Sequence, residues 1–210
     1  MRTHPFRALA VGALAVTAAV GLTVGTGGPG AAAEAGTKAR VPGFLAPADL
    51  PPHSSSPWWA GKVTAGLPDP EPFCLEGALP ARGTYHRAFH TDLDTGATQV
   101  SVTTAGRTTA ARLARSLEKQ VAACAADWLR ETPGGTASWQ DYGPVRAGDG
   151  AHVYGVHVSI PDSEPSVHLI GVGRDGRTVT AVSWGEMGDL GQAPVPAFTR
   201  TTKTAVGKLN

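Results

Sequence analysis

Seven histidines, seventeen carboxylates, two cysteines and an adjacent tryptophan pair are the residues of this 210-residue chain best equipped for chemistry. Five of the histidines (His86, His90, His152, His157 and His168) fall in segments with strand-like alternation. His86 and His90 are four positions apart, so on a strand they share a face. Two imidazoles on one face could hold a metal together with a third ligand. No carboxylate or cysteine stands at ligand spacing beside them, so no metal site is expected. The histidines read instead as the polar side of a half-exposed strand, or as a pH sensor. Asp162, Glu164, Glu186 and Asp189 could supply a carboxylate pair for glycoside or peptide hydrolysis. A chain with so many acids offers such pairs by chance, however. G-x-S-x-G, H-E-x-x-H, G-x-x-x-x-G-K-[ST] and a G-x-G-x-x-G between strand and helix are all absent. Gly171-Val172-Gly173 precedes a hairpin turn and is a strand feature. Neither an enzyme nor a cofactor is expected.

Trp58 and Trp59 lie on a loop rich in proline and glycine. Aromatic residues on such a loop can wall a site for a sugar or a peptide. They can equally plug the edge of a core, because two neighbouring indoles are costly to leave in water. Cys74 and Cys124 are the only cysteines. Neither belongs to a C-x-x-C or a recognisable nucleophile context. In an exported chain, two cysteines are normally bonded to each other.

Export is what the N-terminus suggests. Arg2 and Arg7 form a basic start, residues 8–24 carry no charge, and small residues follow to Ala31-Ala32-Ala33. This is the order of a secretory signal peptide. The apolar run is too short and too rich in alanine and glycine for a membrane span. No cysteine follows it to accept a lipid. The expected organisation is a signal peptide over 1–33, a flexible tail over 34–43 and a single domain over 44–210. The mature chain, without Arg2 and Arg7, has 16 basic and 17 acidic residues, a net charge of −1. A balance this close to neutral, without basic clusters, speaks against nucleic acid or a membrane surface as a partner.

The elements that must position these residues follow from periodicity. Phe44, Leu45 and Leu50 can dock on a core, while Pro47, Pro51 and Pro52 limit that stretch to a turn of helix. Residues 53–72 read as an ordered, irregular loop. Thr84 to His90 and Thr98 to Thr103 alternate around Asp94-Thr95-Gly96 as a hairpin. Residues 109–130 carry Ala110, Leu113, Leu117, Val121, Cys124 and Trp128 in one stripe of an amphipathic helix. Thr108 is its expected N-cap, and Pro133-Gly134-Gly135 ends it. Strands follow over 152–160, 167–172 and 178–184. Taking Asp175-Gly176 as a two-residue turn pairs Val172 with Val179, Leu169 with Val182 and Val167 with Trp184. Both faces of this hairpin are apolar, so it should be central and covered on both sides. A last helix runs from about 196 to 209, with Phe198, Thr202, Ala205 or Val206, and Leu209 facing inward. The order predicts an α+β fold, an antiparallel sheet with one long central helix and a C-terminal helix packed on it.

With these elements placed, the chain resembles the extracellular sensor domain of PknH-type actinobacterial receptor kinases and its free secreted relatives. The likeness rests on Phe44-Leu45, the run Pro47-Ala48-Asp49-Leu50-Pro51, and Trp58 after it. It continues through Cys74, the hairpin ending in Gln99-Val100, the long helix with Cys124, and the C-terminal hairpin and helix. It spans about residues 44–209 as a pattern of spacing. The resemblance implies a cleft between sheet and helices that binds a ligand. That family typically carries two disulfides, whereas this chain has cysteines for one, and it has no kinase domain.

The sequence therefore points to a secreted, non-catalytic binding module for a small-molecule or cell-wall ligand, with Trp58 and Trp59 as candidate contacts. The alternatives are an interaction protein, such as a protease inhibitor presenting Pro68-Asp69-Pro70-Glu71-Pro72 or a cell-wall-associated factor, and a cell-wall or polymer hydrolase.

Overall fold

A computed structural model describes residues 40–210, and the expected signal peptide and the first part of the tail lie outside the described residues. The framework is one antiparallel sheet of eight strands. The strands are β1 (Trp59–Ala60), β2 (Thr64–Ala65), β3 (Thr84–His90), β4 (Gly96–Thr103), β5 (Thr136–Val145), β6 (Ala151–Ser159), β7 (Ser166–Asp175) and β8 (Thr178–Met187). Their order is β1-β3-β4-β8-β7-β6-β5, with β2 also on the outer edge of β3. The long helix α1 (Arg107–Glu131) covers one face and the C-terminal helix α2 (Val195–Gly207) the other. This is the expected α+β class.

Strand alternation divides the apolar residues between two cores. Val100, Val102, Val156, Ile170, Val172, Val179 and Ala181 meet Ala110, Ala114, Leu117 and Val121 of α1. Phe89, Ala97, Val153, Leu169, Val182 and Trp184 meet Leu45, Leu50, Trp58 and Phe198 on the other side. The β7–β8 hairpin is central and buried on both faces, as its continuous apolar pattern requires. On the α2 side β7 presents Gly171, where a Cβ would lie 2.2 Å from the Thr202 hydroxyl oxygen. Only a bare backbone lets α2 settle this close.

Several details differ from the sequence reading. The two loop residues of the β7–β8 hairpin are Gly176-Arg177, one position further along. Gly176 has φ 58°, the placement of a turn with glycine at its first central position. The pairs are consequently Val172 with Ala181, Leu169 with Trp184 and Val167 with Glu186. The partner shifts by two, an even number, so every side chain keeps its face. Helix α1 begins at Arg107 after Gly106, so Thr108 lies inside it and caps nothing. β5 was not anticipated. It is a mostly exposed edge strand with a bulge between Asp141 and Gly143, so its alternation is weak. The irregular stretch 53–72 contributes two short strands to the sheet edge.

The N-terminal segment is fixed by a buried polar cluster. The Gln99 side chain is fully buried, accepting from Leu45 N at 2.7 Å and donating to Thr180 Oγ1 at 3.2 Å. Arg87 donates to the carbonyls of Leu45 and Gly61. Pro42 is buried and Gly43 N donates to Lys208 O, so ordered packing starts within the stretch assigned to the tail. Pro47–Asp49 is a 3-10 turn. Its Asp49 carboxyl is raised by burial, but the Ala46 N–H and the Lys208 ammonium at 2.9 Å outweigh this and hold it below its usual range.

Candidate functional site

The four cysteine and tryptophan positions singled out by the sequence lead to one end of the sheet. Cys74 and Cys124 form a disulfide, with a Cα–Cα distance of 5.4 Å. The bond ties the segment 67–79 to the buried face of α1. Within this segment Leu75 and Leu79 sink into the core, and Pro70–Phe73 stand over the sheet as a wall. The proline-rich run is anchored in this wall by Pro68 and Pro72, which are buried, while Asp69 and Pro70 between them are exposed.

Trp58 and Trp59 separate. Trp58 is 8% exposed in the α2-side core, and its indole N–H donates to Pro51 O at 2.7 Å. Trp59 is 51% exposed, and its indole N–H donates to Asp92 Oδ1 at 3.1 Å. Trp59 opens β1 and pairs with His90, which alternates with Phe89 of the α2-side core, so Trp59 turns to the α1 side.

Trp59 heads a cross-strand row. It pairs with His90, His90 with Gly96, Gly96 with Gly185, and Gly185 with His168. Directly paired residues share a face, so this row runs across five strands on the α1 side. Its third and fourth members, Gly96 and Gly185, have no side chain. Next to them on β4 and β8 stand Thr98 and Ser183. The result is an open cleft of about 400 Å³, floored by these four small residues and walled by Pro70, Pro72 and Phe73. No residue of α1 lines it. Helix α1 covers the valine- and alanine-bearing end of β4 and β8; the small-residue end is left bare.

Of the five sheet histidines, His168 lies in the cleft. Its ring packs against Phe73, tilted by 39° with centroids 4.4 Å apart, and leans over Gly185. Burial keeps the imidazole neutral, pushed down to about 4. Glu71 and Asp94 line the same cleft, and no lysine or arginine does; Glu186 borders it by its backbone, for it pairs with Val167 of the α2-side core and its carboxylate lies on that face beside Thr95. Each carboxylate accepts one hydrogen bond that orients it: Glu71 from Gly77 N, Asp94 from Met187 N, Glu186 from Thr95 Oγ1.

The other candidates are scattered. His86 and His90 share the α1-side face as expected, but His86 Nδ1 is engaged with Gly66 O at 2.9 Å. His152 binds Asp141 at 2.5 Å and stacks on Tyr154, whose hydroxyl is pushed up to about 12 by burial and by Glu118 and Asp141. Among the described residues no three potential ligands converge on a metal position. Of the four candidate carboxylates, Glu186 alone stands on a strand beside the cleft, with its carboxylate on the opposite face; Asp162 and Glu164 lie between β6 and β7, and Asp189 between β8 and α2. A second hollow, about 410 Å³, opens beside the disulfide between Phe73 and Trp128.

The cleft itself was invisible in the sequence. Its floor is made of glycine, serine and threonine, which carry no motif, and Gly96 and Gly185 meet only through a long-range strand pairing. No helix among the described residues is long and apolar enough to cross a membrane. No protein-family model, curated protein or solved structure matches the chain.

Proposed function

We propose that this protein is a secreted, non-catalytic ligand-binding module, and that the glycine-floored cleft under Pro70–Phe73 is where it binds. One observation carries the reading. At the end of the sheet that α1 leaves open, Gly96, Thr98, Ser183 and Gly185 keep the surface clear, and the disulfide-anchored segment walls it. Its volume, about 400 Å³, is in the range of ligand clefts. An aromatic wall at Phe73 and orientable polar groups at Thr98, Ser183 and His168 supply the usual mixture of apolar contact and specific hydrogen bonding. The resemblance to PknH-type sensor domains agrees with binding between sheet and covering elements. The signal-like N-terminus and the disulfide support export.

The inhibitor reading has less support, since its candidate loop is anchored in the cleft wall by Pro68 and Pro72. The test is amide hydrogen exchange of the purified protein with and without an extract of its host's cell envelope. Binding should slow exchange over 70–73, 94–98 and 183–187. Slowing confined to another surface, such as the hollow beside the disulfide, would refute this assignment.

A further inference from the structure

Of the three most exposed large apolar side chains of the described residues, Met187 lines this cleft, Leu93 adjoins its lining residue Asp94, and Trp59 is hydrogen-bonded to Asp92 of the same turn. Leu93 is 58% exposed, Met187 54% and Trp59 51%. They are fixed to one another through the β3–β4 turn. Trp59 donates to Asp92, Leu93 follows Asp92, and the Met187 N–H is held by Asp94. Large apolar groups gathered at one place on a surface mark an interaction site.

The charge here has one sign. Asp92 and Asp94 stand in the patch and Glu71 lines the cleft wall, and none of the three is ion-paired among the described residues. His90, in the paired row, is the only basic group between Trp59 and His168. A partner must therefore offer cations together with apolar groups.

Size narrows the class further. Trp59 and His168 are separated by four strand-to-strand steps, about 19 Å at about 4.8 Å each. An extended chain covers that distance in about six residues at about 3.3 Å per residue. A single small amine would fill only the glycine-floored middle and leave Trp59 and Leu93 untouched.

We propose that the cleft and its apolar rim dock an extended polypeptide segment in which basic and apolar side chains alternate. One basic side chain lies over Gly96 and Gly185 between Asp94 and Glu71. Apolar neighbours rest on Leu93, Met187 and Trp59. This rests on the cleft being the binding site, and it names the partner's chemistry.

The probe is an acetylated, amidated hexapeptide alternating lysine and leucine, titrated calorimetrically against the purified protein. An alternating glutamate–leucine hexapeptide and cadaverine serve as comparisons. The lysine–leucine peptide should bind, and the glutamate peptide and the diamine should bind at least tenfold more weakly. Asp94→Asn with Glu71→Gln should weaken binding at least tenfold and flatten its dependence on salt. Trp59→Ala should weaken it about fivefold. Gly96→Ile decides the location: a Cβ there meets nothing closer than Phe89 O at 3.8 Å, so the strand accepts it while the side chain fills the trough. Binding should then be lost with the fold intact. No binding of the lysine–leucine peptide, equal binding of the glutamate peptide, or unchanged binding by Gly96→Ile would each overturn the proposal. Cadaverine binding as tightly as the peptide, and losing affinity in Gly96→Ile, would overturn the polypeptide partner but leave the cleft as the binding site.

Discussion

At the residue scale, Trp58 just before β1 and Trp59 at its start lie on opposite sides of the sheet, and their substitutions should separate accordingly. Trp58 is enclosed with Phe89 and Ala97 and has a buried hydrogen bond to Pro51. Trp58→Ala should cost about 3–5 kcal/mol of stability, the usual range for a large core aromatic. Trp59→Ala should stay within about 0.5 kcal/mol, as for an exposed side chain. Urea unfolding midpoints of the two variants check this; similar losses would contradict the division. The sequence showed an aromatic pair on an irregular loop. Which member is core follows from the two-residue strand β1, too short to leave a periodic signal.

His168 gives the fold a pH dependence of known sign. In the unfolded chain it takes up a proton near pH 6.5, while burial in the folded protein delays this to about 4. Below pH 6.5 the unfolded state binds more protons, so stability falls as pH drops from 6.5 towards 4. Between pH 7 and 5 the loss from this group is about 2 kcal/mol, from about 1.4 kcal/mol per pH unit. Asp49 and Asp141, held below their usual range, act only at lower pH. His168→Gln should therefore lose less stability than the parent protein between pH 7 and 5, measured by denaturant midpoints. An equal loss would mean the imidazole is not held neutral.

At the scale of elements, the cleft wall depends on one covalent tie. Cys74–Cys124 closes a loop of 50 residues, for which chain entropy gives about 4 kcal/mol of stabilisation. Replacing both cysteines by serine should cost about that amount. It should also speed amide exchange over 67–79 more than over the central β7–β8 hairpin. Uniform acceleration along the chain would show that the bond supports the whole fold equally and the wall no more than the rest. The docking of α2 is more stringent. Gly171→Ala drives a methyl into Thr202 and should cost about 1–3 kcal/mol, the range for an overpacked core. Gly96→Ile, open above, should cost far less. Thermal melting of the two variants side by side checks the contrast.

Element type was legible wherever one period dominated. The stripe from Ala110 to Trp128 could only be a helix with a single buried face, and it placed Cys124 inward. The alternation of β3, β4, β6, β7 and β8 was equally clear. β5 escaped because Gly143, Pro144 and a bulge interrupt a strand that buries little. The β7–β8 register slipped because Asp-Gly and Gly-Arg are both possible turn centres, and the structure uses glycine in the first central place.

At the scale of the whole molecule, two helices cover a sheet wider than they can hide. α1 packs across β5 to β8, and α2 with the N-terminal segment closes the other face. What stays bare is the small-residue end of β4 and β8. Ordinarily an uncovered sheet face would be built from polar alternation; here it is hollowed by paired glycines and walled by an anchored segment. Nothing local in the chain announces this, because it arises from residues 70–73, 96–98, 166–168 and 183–187 meeting across the fold. The sequence could supply the disulfide and the layers, but not the space between them.

That this cleft holds a ligand is tested most directly by native mass spectrometry of the protein recovered from its own host, beside the Gly96→Ile variant. The parent protein should carry extra mass that leaves on denaturation, and the variant should fly bare with its fold retained. The same extra mass on both proteins, or none on the parent, would contradict binding in the cleft.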